Sequence, residues 1–178
     1  MIRHLLILTS SLVISGCGEV DPAPREVTTG TSWTTPDCEF AITFPEEPKE
    51  VEREVPGMGP FVSAEAAVGN GVYRSECVTL TPKLRNALGG DTRTIIKTAL
   101  TENARRSGID PVTVEMTNSE GGVVGRARGN KQVNGVEATY ETAITVGDRS
   151  LISAVIAAPA TEFPAEGQMA FLKSLHRK

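Results

Sequence analysis

Histidine is nearly missing from this chain: His4 and His176 are the only two among 178 residues. Without an internal histidine, Ser-His-Asp and Cys-His nucleophile arrangements lack their base, and His-based metal sites lack their ligands. No GxSxG, P-loop or GxGxxG occurs, which removes the commonest hydrolase, nucleotide and dinucleotide readings. Basic residues are not in excess either: 18 Lys and Arg stand against 22 Asp and Glu, a formal net charge of −4. A phosphate-binding chain would show the opposite balance, so nucleic acid is not an expected partner. Aromatic residues make up only 4% of the chain, but 39% is hydrophobic, enough for one domain with a core.

No apolar run is long enough to span a bilayer as a helix. Leu5–Ile14 is broken only by Thr9, Ser10 and Ser11, follows the basic Arg3, and has the length of a signal-peptide core. It closes in Ile14-Ser15-Gly16-Cys17, a branched apolar residue, two small residues and a cysteine. This stretch resembles the lipobox of bacterial lipoproteins. The resemblance implies that Cys17 is lipidated, that residues 1–16 are removed, and that the protein reaches a membrane through its acyl chains, which anchor stably only when two or more are present. Gly18 in place of Asp implies, by the enterobacterial sorting pattern, the periplasmic face of the outer membrane rather than the inner membrane.

Three cysteines are an awkward number for an exported protein, since one is left over. Assigning Cys17 to lipid leaves Cys38 and Cys77, a pair expected to bond in an oxidising compartment, with two buried free thiols as the alternative. Neither lies in a CxxC spacing, so a redox-active or zinc site is not indicated.

Residues 17–35 are rich in Pro, Thr, Gly and charge and read as a spacer, with a single domain over 36–178. Cys38, Phe40, Ile42 and Phe44 alternate with Glu39, Ala41 and Thr43, a strand ended by Pro45. Val51–Val55 is a shorter strand. Phe61–Val68 and Val72–Thr81 flank the turn Gly69-Asn70-Gly71. Asp91 is placed to cap a helix running to Ser107, with Ile95, Ile96, Ala99, Leu100 and Ala104 on one face and Gly108 ending it. After a brief strand, Val112–Met116, comes a hairpin: Val123–Val133 and Val136–Val146 joined by Asn134-Gly135 in a type I′ turn. That turn sets Arg128 opposite Glu141 and Gly129 opposite Tyr140. Leu151–Ala158 is apolar almost throughout, as a central strand is. Pro164 opens a terminal helix with Ala165, Met169, Leu172 and Leu175 on one face and Phe171 beside them.

Strands in hairpins with helices between and after them predict an α+β domain, an antiparallel sheet with helices packed on it. The opening FAITFPEEP, the mid-chain amphipathic helix, the strand LISAVIAAP and the closing FLKSL resemble the PsbP-like superfamily, which includes the DcrB type of bacterial lipoprotein. That resemblance implies an α/β/α sandwich and a non-catalytic accessory or protein-binding domain with no cofactor. It transfers no site residues. The leading expectation is an envelope lipoprotein with an envelope protein partner. A small-ligand or envelope-polymer binding module is the alternative, with a groove between sheet and helix as its site, and a hydrolase using acids alone is a third.

Several residues invite chemistry and are better explained without it. Glu46, Glu47, Glu50, Glu52 and Glu54 could supply a carboxylate pair, but spread through a short segment that contains Pro45 and Pro48 they read as a charged, solvated edge strand. Arg126 and Arg128 share one face with Glu141, while Lys131 falls on the other. Trp33 is read as capping the domain edge. His176 is read as compensating a helix end. No residue is assigned a catalytic, cofactor or metal role.

Overall fold

The computed structural model describes residues 30–55, 59–87, 90–109, 112–119, 122–164 and 170–178. Thirteen elements follow one another: β1 Thr31–Trp33, β2 Phe40–Phe44, β3 Lys49–Val55, β4 Gly59–Val68, β5 Gly71–Thr79, α1 Pro82–Ala87, α2 Thr92–Ser107, β6 Val112–Ser119, β7 Gly122–Val133, β8 Val136–Val146, β9 Ser150–Pro159, α3 Ala170–Lys173 and β10 His176–Arg177. Seven strands form an antiparallel sheet in the order β3-β4-β5-β9-β8-β7-β6, and β1-β2-β10 form a second, three-stranded sheet. This is the expected α+β class, an antiparallel sheet sandwiched between outer layers.

The Asn134-Gly135 turn works as its residue types require. Both residues have positive φ, 51° and 81°, the backbone of a type I′ turn. The register across β7 and β8 is the expected one, with Arg128 opposite Glu141 and Gly129 opposite Tyr140. β9 lies between β5 and β8, and its first five residues are all buried.

Helix α2 is punctuated at both ends. The Asp91 carboxylate accepts from Thr94 N at 3.0 Å, and Gly108 sits at φ 66° so that Ile109 N can reach Ala104 O. Its buried face, Ile95, Ile96 and Leu100, packs with Ala127, Ile144, Val146 and Leu151 of the sheet. Gly125 lets the helix approach β7 closely, because a Cβ there would run into Ile96 Cγ2.

The opposite face carries the larger core. Phe40, Ile42 and Phe44 of β2, with Phe171 and Leu172 of α3, pack on Ala64, Ala143, Ile152, Ala154 and Ile156. Here the structure departs from the sequence reading. β2 is not a strand of the main sheet but the middle of the small one, and Ala41 within it and Glu39 just before it, the positions alternating with the apolar set, are themselves buried at 5% and 9% exposure. Thr31–Trp33, assigned to the spacer, is strand β1, paired with β2 and bringing Trp33 into the core. Helix α1 was not anticipated, although Thr81 Oγ1 accepts from Leu84 N and Pro82 begins the turn, a recognisable start signal. The expected beginning of the terminal helix, Ala165 to Met169, lies outside the described residues. α3 ends at Lys173, and the chain then re-enters a strand.

Candidate functional site

Cys17, the lipidation site read from the sequence, lies outside the described residues, as do the signal segment and most of the spacer. Cys38 and Cys77 are joined by a disulfide with Cα atoms 6.1 Å apart. It ties the chain just before β2 to β5, and therefore the small sheet to the large one. Among the described residues no group of three or more His, Cys, Asp or Glu is placed to hold a metal ion, and no helix is long and apolar enough to cross a membrane.

The acidic run falls on an edge, as expected, since β3 ends the sheet. Two of its carboxylates brace the small sheet: Trp33 Nε1 donates to Glu50 Oε1 at 2.6 Å, and Thr31 Oγ1 donates to Glu47 Oε2 at 3.0 Å. Trp33 is thus a cap with its polar edge satisfied, lying edge-on to Phe44. Arg126 and Arg128 do share a face with Glu141, at 3.8 and 3.9 Å, and the Arg128 guanidinium also lies 5.1 Å above the Phe163 ring. Lys131, on the other face, donates to Ser107 O at the end of α2, where a cation complements the helix dipole. His176 corrects the sequence reading. It belongs to β10, opposite Ala41, with Nδ1 2.7 Å from Ser174 O, and is exposed.

Glu39 is the residue that the sequence hid. The turn between β8 and β9 folds around its carboxylate: Arg149 N donates to Oε2 at 2.7 Å and Ser150 N at 2.9 Å, while Arg177 Nη2 donates to Oε1 at 2.9 Å. Arg177 also reaches Asp148 at 2.7 Å. Burial pushes the Glu39 carboxyl up, but the backbone donors of the turn and the Arg177 guanidinium outweigh it and hold it at about 2. Gly147 leaves room for it, since a Cβ there would meet the Glu39 carboxylate and force it to shift. In the sequence Glu39 is only an alternating position of the opening strand, and the Gly147-Asp148 turn that binds it lies more than a hundred residues away.

Among the described residues, a concave groove lies on the α2 side of the sheet. Contacts of α2 go to β6, β7 and β8, so the face of β5 and β9 beside it is left as one wall of a groove of about 370 Å³. Strand register builds its floor. Val72 aligns with Ala157, Tyr140 and Gly129, and Arg74 with Val155 and Thr142. Leu100 and Ala104 of α2 form the opposite wall. Charges at the open side are matched among themselves, with Arg74 bound to Glu76 at 2.5 Å and Lys49, Glu65 and Arg74 aligned across β3, β4 and β5. The result is an apolar floor with hydroxyls from Tyr140, Thr142 and Ser153. It offers a concave surface for binding.

No protein-family model matches the chain, and no curated protein matches it in sequence. Among solved structures, a protein from Bacteroides thetaiotaomicron is 16% identical with a TM-score of 0.49, covering 85% of this chain. This chain spans only 49% of that protein's length. Cyanobacterial PsbP (CyanoP) from Synechocystis sp. PCC 6803 is 11% identical with a TM-score of 0.57, covering 90% of this chain and 100% of that one. At such identity the likeness speaks to architecture alone, and it shows that this domain has a fold like that of PsbP.

Proposed function

We propose that this chain is a lipid-anchored protein of the cell envelope, held through Cys17 at the periplasmic face of the outer membrane, whose folded domain is a non-catalytic accessory module that binds another envelope protein. The anchor rests on the Leu5–Cys17 segment. The observation that carries binding is the groove between α2 and the sheet: it is apolar along its floor, electrically matched at its open side, and has room for a few side chains. Glu39, whose carboxyl is held at about 2, and its partner Arg177 hold the β8–β9 turn and the last strand together.

Two variants test the reading. Membrane fractionation of cells is expected to find the wild type in the membrane pellet and Cys17→Ala outside it; retention of Cys17→Ala through washing overturns the anchor. Val72 is 37% exposed at the groove, so Val72→Arg changes the surface without burying a charge. It is expected to lose the crosslinks that the wild type makes to its envelope partner, at unchanged melting temperature. An identical crosslink pattern overturns the groove as the contact surface. The volume of about 370 Å³ also falls in the range of small-molecule pockets. Native mass spectrometry separates that second reading: a small molecule retained on the purified protein, and displaced in Val72→Arg, establishes a ligand-binding module in place of a protein-binding one.

A further inference from the structure

The two edges of the seven-stranded sheet are built differently. At β3, five of the seven residues carry charge (KEVEREV), the usual protection of an edge against pairing. At β6, one of eight does (VTVEMTNS). β6 pairs with β7 through eight consecutive residue pairs with no bulge, so its outer edge is straight and long, and an extended backbone is what satisfies such a row of donors and acceptors. Val114, in its first half, is 38% exposed on the same face as the groove helix.

The strand is complementary to itself. When two copies of β6 run antiparallel with Val114 on Val114, Val112 meets Met116 and Thr113 meets Glu115. Apolar residues then stack on the α2 face and polar residues on the other, with no like charges directly opposed. Centring the pair one residue later would set Glu115 against Glu115, which is repulsive. We propose that β6 is a dimerisation edge, pairing with β6 of a second copy about a two-fold axis at Val114 and joining two seven-stranded sheets into one. An isologous strand pair of this kind closes at two copies and leaves the charged β3 edges outermost.

Cysteine crosslinking in the full membrane-bound chain tests the pairing. Directly opposed Cβ atoms in an antiparallel pair lie about 4.5–5.5 Å apart, close to disulfide reach. Val114→Cys is therefore expected to give a reducible species of doubled mass on non-reducing gels under mild oxidation. Val51→Cys, comparably exposed on the other edge, is expected to run at the mass of a single chain on the same gels, as is the parent chain, because neither places a thiol at the proposed seam. Equal crosslinking of both variants, none in Val114→Cys, or a Val114→Cys product containing a different protein overturns the proposal. Sedimentation equilibrium of the detergent-solubilised protein gives a second readout without new thiols. Dimer formation is expected to weaken by about tenfold or more in Val114→Lys, where like charges would be opposed; an unchanged association constant overturns the proposal.

Discussion

Glu39 illustrates how one carboxylate can hold three separate pieces of chain. It lies between Cys38 and β2, accepts from the turn that joins β8 to β9, and is paired with Arg177 in the last strand. Because its pKa is depressed in the folded protein to about 2, its contribution is present above the ordinary carboxylate range and is lost as pH falls from about 4.5 toward 2. The full shift, from 4.5 to about 2, corresponds to at most about 3–4 kcal/mol. Urea unfolding of the wild type is therefore expected to lose stability across that window. Glu39→Gln, which keeps the shape but not the charge, is expected to be less stable at pH 7 and to show a flatter dependence between pH 5 and 2. Equal slopes for the two proteins would remove Glu39 from the account. Arg177→Met tests the ion pair by itself: the backbone donors of the turn remain, so its effect should be smaller than that of Glu39→Gln.

Elements differ in how plainly they can be read, and the difference is physical. The β7–β8 hairpin was legible to the residue pair because Asn-Gly selects a turn whose geometry dictates the register. Helix α2 was legible from its cap, its apolar face and its terminal glycine. β1 and β10 have three and two residues, too few for any periodicity, and they exist because β2 needs partners on both sides. Without them nothing local shows that Glu39, beside β2, is buried. The groove was foreseen only as a place, between sheet and helix; its lining depends on strand order, which no local pattern encodes. Gly125 belongs to the same category, a lone glycine whose purpose is visible only once Ile96 and Leu100 are above it. Gly125→Ala is expected to push α2 off β7 and to cost about 1–3 kcal/mol, measured by chemical denaturation. An unchanged midpoint would mean that the helix can slide to accept a methyl group.

The two sheets share the larger of the two cores, and the tethers between them run across it. Phe40, Ile42 and Phe44 interleave with the large sheet, Trp33 reaches the β3 edge through Glu50, and the Cys38–Cys77 disulfide closes the same junction covalently. Both cysteines are buried, at 2% and 6% exposure, so the bond is protected in the folded state. Its stabilising effect comes mainly through the unfolded chain, where a crosslink 39 residues apart removes conformations worth about 4 kcal/mol in the chain-entropy treatment. Intact mass is expected to rise by two hydrogens on full reduction under denaturing conditions, with no change in native buffer at low reductant. The double variant Cys38→Ala and Cys77→Ala is expected to lower the denaturation midpoint substantially. A chain whose small sheet docked independently of the bond would unfold in two steps once it was cut, β1-β2-β10 separating before the large sheet. A single cooperative transition, seen together by Trp33 fluorescence and by circular dichroism, is the expected result, because Phe40, Ile42 and Phe44 of β2 pack into the same core as the inner face of the large sheet.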